Sequence, residues 1–303
     1  MRTDEWAEYY EVFADDFAPE RVRDDCHPRI RTHPNPRGSV VLVHGLSDSP
    51  FFMLAIAEHF YSHHHYNVYL PLLQFHGLKD PQGLEGVRLE QWKRNVSWSV
   101  EQAAEATPQL VSIGGLSTGG ALSLHSACTN PLVTGDVFLF SAALSLLVAG
   151  RSRLGDIAER LLRNGWINDW LDRRDRRRIM VGDNPVKYEY IDKDGARELA
   201  RLILELDLIL AEIKQDEPLT CRIFAAHSEA DDTADVKGVL GLEAKTVAGN
   251  FVKFIINKES AVSHAGLVLA EDLYGRSGRL LTRANVRFEE MLQALDAFVA
   301  IRA

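Results

Sequence analysis

Cysteine is scarce in this sequence. Cys26, Cys128 and Cys221 are an odd number in 303 residues, lie far apart, and show neither CxxC spacing nor metal-ligand spacing with histidine. Neither a disulfide framework nor a cysteine metal site is expected. Positive charge is also in deficit, with 34 Lys and Arg against 43 Asp and Glu and a net charge of -9. Nucleic acids are held by many Lys and Arg contacts to phosphate, so this balance argues against such a partner. No run reaches the ~18 to 20 apolar residues needed to cross a bilayer. Met1 to Tyr10 alternates charges with aromatics and lacks the apolar core of a secretory leader. The expectation is a soluble cytoplasmic protein without an integral membrane segment. Repeats, low-complexity tracts and Gly/Ser linkers are missing too, which makes any subdomain an insertion within one fold.

What is present is a succession of short apolar runs separated by amphipathic stretches. Ser39 to Val43 is β-branched and continuous, as expected of a strand buried on both faces of a parallel sheet. Tyr66 to Leu70, Gln109 to Ile113, Asp136 to Phe140, Cys221 to Ala225 and Val252 to Ile256 read as further strands. Helical spacing marks Met53 to Tyr61, Gln91 to Ala106, Gly119 to Cys128 and Val286 to Ile301. Strand and helix alternate, which calls for a mostly parallel sheet with helices on both faces, an α/β architecture. The alternation breaks from 144 to 219, where only helical patterns occur, including Leu154 to Trp170 and Ala196 to Ile213. Residues 1–143 and 220–303 are therefore expected to form the core domain. Residues 144–219 read as an inserted helical lid over the carboxyl edge of the sheet, where open α/β sheets bind ligands.

Gly115-Leu116-Ser117-Thr118-Gly119 fits the pattern G-x-S-x-G and stands directly after a predicted strand and before a predicted helix. A serine on such a strained strand-to-helix turn needs glycine neighbours, because side chains there would collide with adjacent backbone. A serine hydroxyl is a weak nucleophile on its own and needs a histidine base that an acid orients. Of eleven histidines, only His264 lies between the last predicted strand and the closing helix. For the acid, the loop after Cys221 to Ala225 offers Glu229, Asp231, Asp232 and Asp235. Position favours Asp231, with Asp232 next. Backbone N–H donors for an oxyanion are expected at Thr118, directly after the serine, and at Leu46 in the loop after the first parallel strand. His44 reads as a structural residue holding that loop.

Taken together, Val40-Val41-Leu42-Val43-His44-Gly45-Leu46, Leu70-Pro71-Leu72 with His76-Gly77 and Trp92, the G-x-S-x-G pentapeptide, His227 to Asp231 and Ser263-His264 resemble the bacterial carboxylesterase and monoacylglycerol lipase branch of the α/β-hydrolase superfamily. The resemblance covers nearly the whole chain beyond residue 38. It implies the α/β-hydrolase fold, a triad of Ser117, Asp231 and His264, and neither a metal nor an organic cofactor. The implied substrate is a short or medium acyl ester or a monoacylglycerol. The alternatives are a thioesterase, amidase or C–C hydrolase on the same scaffold, or a lidded receptor without catalysis.

Three places depart from the group's pattern. Ser228 stands where glycine is usual, Gln74-Phe75-His76-Gly77 lacks the first glycine of Gly-His-Gly, and Gly266 to Asn285 is long. Within the lid, Arg173 to Arg178 offers peripheral contact with an anionic surface, the simpler reading being a solvated face. Leu161, Leu162, Trp166, Ile167 and Trp170 fall at helical spacing and read as packing residues, some lining an acyl pocket. His63-His64-His65 is not expected to bind a metal, since three adjacent side chains cannot converge on one ion.

Overall fold

The computed structural model describes residues 5–80, 83–144, 182–189, 193–214 and 216–301. The lid residues named above and the arginine run lie outside these.

Seven strands form the main sheet: β1 (Arg29–Arg31), β2 (Gly38–Val43), β3 (Tyr66–Leu70), β4 (Val111–Leu116), β5 (Val137–Phe140), β6 (Ile223–Ser228) and β7 (Phe251–Ile256). They lie in the order β1-β3-β2-β4-β5-β6-β7. All neighbours from β3 to β7 pair in parallel, while β1 pairs antiparallel with β3, Ile30 opposite Tyr69. Every residue of β2, β3, β4, β5 and β6 is buried, which explains their largely apolar character. The edge strand β1, with Arg at both ends, carries no such signal and is absent from the sequence reading. The described α-helices are α1 (Ala7–Val12), α2 (Leu54–Ser62), α3 (Leu89–Ala106), α4 (Thr118–Thr129), α5 (Lys193–Glu212), α6 (Val236–Glu243) and α7 (Phe288–Ala300). No helix among the described residues is long and apolar enough to cross a membrane.

The aromatic N-terminus is part of the core. Trp6, Tyr9 and Phe13 pack around Trp98 of α3, the first tilted and the other two edge-on, at ring separations of 4.9, 5.7 and 5.7 Å, and the Tyr9 hydroxyl donates to the Leu72 carbonyl at 2.6 Å. α5 buries Leu199, Leu202, Ile203, Leu206 and Leu210, an i, i+3, i+4, i+7 stripe, against α3 and α4. Its polar face is tied to α3 by ion pairs from Glu205 to Lys93 and from Arg201 to Glu90. Gly266 to Asn285, long for the compact pattern, contains a small hairpin of β8 (Leu273–Tyr274) and β9 (Leu280–Thr282).

The centre of the sheet depends on missing side chains. A Cβ at Gly114 would lie 2.6 Å from the Phe138 carbonyl oxygen on β5, and one at Gly119 would overlap the Val43 carbonyl of β2. Both contacts are to backbone, which cannot step aside as a side chain would. Glycine at these places lets α4 lie directly on the sheet. Gly119→Ala is expected to cost about 3 kcal/mol or more through overpacking. In thermal unfolding this variant should fall well below the parent, whereas Gly249→Ala, which meets no atom within 4 Å, should lose only the smaller penalty of its left-handed backbone.

Candidate active site

Ser117 sits where β4 passes into α4, with φ 54° and ψ -115°. Positive φ is costly for a residue with a Cβ and persists only when its surroundings hold it. Here three backbone bonds do so: Ser117 N–H donates to the Phe140 carbonyl at 3.0 Å, and its own carbonyl accepts from Ala121 and Ala143 at 3.1 Å each. Gly115 removes the side chain that would meet the Gly119 carbonyl carbon at 2.5 Å. The turn thus lifts Ser117 to the carboxyl edge of the sheet, 8% exposed.

Asp231 and His264 follow the carboxyl ends of β6 and β7. The His264 Nδ1 is 2.7 Å from Asp231 Oδ2. The other carboxylate oxygen accepts from the backbone N–H of Thr233 at 2.8 Å and of Ala234 at 3.0 Å. Burial raises the Asp231 pKa, but His264, these backbone donors and His227 outweigh it and bring it down to about 2. The rest of the acidic loop is differently employed. Glu229 and Asp232 are exposed, and Asp235 caps α6 by accepting from Lys237 N–H at 3.0 Å. Asp231, whose side chain is wholly buried, is the acid brought to His264. The short turn Ala265–Val268 that follows His264 packs against β6 and against the turn Pro50–Met53.

That second turn leads back to the loop carrying Leu46. A Cβ on Gly45 would be 3.3 Å from the Cβ of Ser117, so this backbone runs directly beside the serine. Thr118, the first residue of α4, has a backbone N–H with no acceptor one turn back. His44 anchors the loop from behind: its Nδ1 donates to the Gly45 carbonyl at 2.8 Å and its Nε2 accepts from Leu73 N–H at 3.1 Å. Both bonds require the neutral ring, and burial holds its pKa well below the ordinary value.

Several residues here were given no role by the sequence reading. His227 lies under the acid, its Nε2 donating to the Ala234 carbonyl at 3.0 Å and standing 3.6 Å from Asp231 Oδ2. His76 is fully buried, 5.0 Å from the His44 ring, and burial lowers its pKa to about 4. Residues 182–189 run across the back of the Leu46 loop. Lys187 pairs with buried Asp48 at 2.8 Å, Ser49 Oγ donates to the Val186 carbonyl at 2.8 Å, and Tyr188 N–H donates to the Ser47 carbonyl at 2.8 Å. The Tyr188 hydroxyl in turn donates to the carbonyl of Phe75, which has φ 61° in the stretch lacking the first glycine of Gly-His-Gly. The clue in the sequence was Asp48, the one carboxylate between His44 and Met53, but its partner lies far along the chain.

These burials give the site an acid signature. His44, His76 and His227 all have depressed pKa values, so below pH 6.5 the unfolded chain takes protons that the fold refuses and stability falls. For His76 the loss continues down to about pH 4 and amounts to roughly 3 kcal/mol. Asp231 acts lower: its contribution is complete above 3.8 and is lost as pH falls towards about 2. In denaturant titrations, His76→Gln should flatten the pH dependence between 6.5 and 4, and Asp231→Asn should flatten it only below 4.

Known structures share this arrangement of strands and helices at low sequence identity. One described with the metagenome-derived lipolytic enzymes LipS and LipT is 18% identical, with a TM-score of 0.63 over 93% of this chain and 100% of that one. The monoacylglycerol lipase of Paleococcus ferrophilus is 17% identical, with a TM-score of 0.62 over 91% and 99%. A soluble variant of the monoglyceride lipase of Saccharomyces cerevisiae is 14% identical, with a TM-score of 0.57 over 90% and 91%. No curated protein matches the sequence. The model of the alpha/beta hydrolase family matches residues 40–256, from the strand before the Leu46 loop to the end of β7. The chain belongs to the alpha/beta hydrolase family.

Proposed function

We propose that the protein is a serine hydrolase that cleaves carboxylic esters, with Ser117 as nucleophile, His264 as base and Asp231 as the acid that orients it. One observation carries the reading: the His264–Asp231 bond of 2.7 Å at the edge of the sheet where Ser117 is forced into φ 54°. With Nδ1–H given to a buried carboxylate, the imidazole keeps Nε2 as its basic lone pair. Nε2 takes the Ser117 proton as Oγ attacks the ester carbonyl. The Leu46 and Thr118 N–H groups receive the oxyanion of the tetrahedral intermediate. Collapse expels the alcohol, which receives the proton from His264 and leaves an acyl-enzyme. A water activated by the same imidazole then releases the acid and restores Ser117.

We take the substrate to be a small-molecule ester with a short or medium acyl chain, or a monoacylglycerol. The lipolytic and monoacylglycerol lipase structures of the same fold support this class. We also take residues 144–219 to be a cap inserted into a core of 1–143 and 220–303. The packing of 182–189 against the Leu46 loop supports a cap whose return limb reaches the site.

A fluorophosphonate should label Ser117, and Ser117→Ala should abolish labelling and lower ester turnover by about 10^4-fold or more. Asp231→Asn should cost roughly 10^3 to 10^4-fold, with Asp232→Asn close to the parent. Equal or faster turnover of matched thioesters or amides would overturn the ester assignment. Lys187→Met leaves the Asp48 carboxylate buried beside the oxyanion loop without its cation, at a cost of about 4 kcal/mol. This variant should lose both thermal stability and kcat, and Asp48→Asn in the same chain should recover part of each.

A further inference from the structure

We propose that His59, His64 and Asp296 form a binding site for a divalent transition-metal ion, with zinc as the expected occupant. The site stands apart from Ser117. α2 leaves the carboxyl edge of the sheet after the Leu46 loop and runs back, so His59, near its end, lies at the opposite edge. The chain then reverses through His63 to His65, with His65 at φ 56°, before entering β3. This reversal folds the His64 ring back over His59. α7 supplies Asp296 from the other side, close to where Arg222 at the start of β6 meets the Phe298 carbonyl.

The three ligand atoms converge. The Nε2 atoms of His59 and His64 lie 2.6 and 2.8 Å from the same Asp296 oxygen, and all three atoms fall within 4.8 Å of one another. Packing fixes the rings: His63 stacks on His59 at 4.5 Å, and Phe60 lies 5.5 Å from His64. The histidine side chains are 8% and 12% exposed while Asp296 is 40% exposed, so an ion has an approach and room for water as a further ligand. Two imidazole nitrogens, which are borderline donors, outnumber the single hard carboxylate oxygen, a set that suits zinc and its neighbours rather than calcium or magnesium. Without the ion, one oxygen must accept from two N–H groups. With it, each neutral ring carries its proton on Nδ1 and presents the Nε2 lone pair, so the ion stands where the two N–H groups pointed, at about 2.0 to 2.2 Å from each ligand after small ring movements. The histidine triplet by itself cannot converge, and only its middle member belongs to the site. The bound ion would staple α2 to α7.

The test is zinc titration of the chelator-treated, full-length protein by calorimetry and thermal unfolding, with cobalt absorption as a probe of ligand geometry. The expected result is one equivalent bound and a rise in Tm of about 5 °C at hundredfold saturation. Asp296→Asn, which keeps size and an acceptor oxygen, and His64→Gln should each remove both effects. His65→Gln, which alters the separate stack of His65 on His33, should leave them intact. No saturable binding up to about 1 mM zinc, or binding retained in both Asp296→Asn and His64→Gln, would overturn the site.

Discussion

A single close approach underlies the molecule: the first turn of α4 lies against the backbone of β2, with no side chain between Gly119 and the Val43 carbonyl. Because that gap is closed, β4 must turn sharply into the helix, and the sharp turn forces Ser117 into a backbone conformation that serine ordinarily avoids. The strain is local, while the bonds that hold it come from Phe140, Ala121 and Ala143, on β5, on α4 and just beyond β5. Parallel pairing on both sides of β4 makes the turn rigid. The nucleophile proposed here is therefore positioned by the sheet as a whole and not by its own loop.

Much of this could be read from residue patterns, and the reasons are physical. A strand buried on both faces must be continuously apolar, so β2, β3 and β5 were placed to within a residue or two, and the pentapeptide was legible because its glycines have no other need to sit between strand and helix. β4 was placed two to three residues early, since its second half holds the glycines 114 and 115, which carry no strand propensity. α6 went unread as a short helix behind the acidic loop, as did α1, whose aromatic side chains are distributed around packing partners that only the fold supplies. Among the four carboxylates, sequence position favoured Asp231, but the distinction comes from burial and from two backbone donors that no local pattern reveals.

What the sequence concealed most completely is the polar layer behind the Leu46 loop. His44, His76, Asp48 and Lys187 come from three separated stretches, and each alone reads as a satisfied core residue or a surface charge. Assembled, they form a buried network in which two neutral imidazoles and one ion pair share a small volume. Such networks rigidify when every member is satisfied and are costly when one is lost. The deviation at Phe75 belongs to the same layer: a residue with a side chain accepts positive φ there, and its carbonyl is held by Tyr188. A departure that looked like a weakened motif is accommodated by a contact from 113 residues further on.

The hairpin of β8 and β9 gives the long segment after His264 a task. Ser277 donates to the Asp183 carboxylate through its backbone N–H at 2.8 Å and its hydroxyl at 2.7 Å, and Arg276 N–H donates to the Asp183 carbonyl at 3.0 Å. The chain is thus clamped at Asp183 from one side by this hairpin and, four residues later at Lys187, by Asp48. Leu144 is likewise buried at the departing end. Held at both Asp183 and Lys187, the chain has little slack behind the Leu46 loop: loosening the hairpin would free Asp183 and, through four residues of backbone, disturb the Lys187–Asp48 pair.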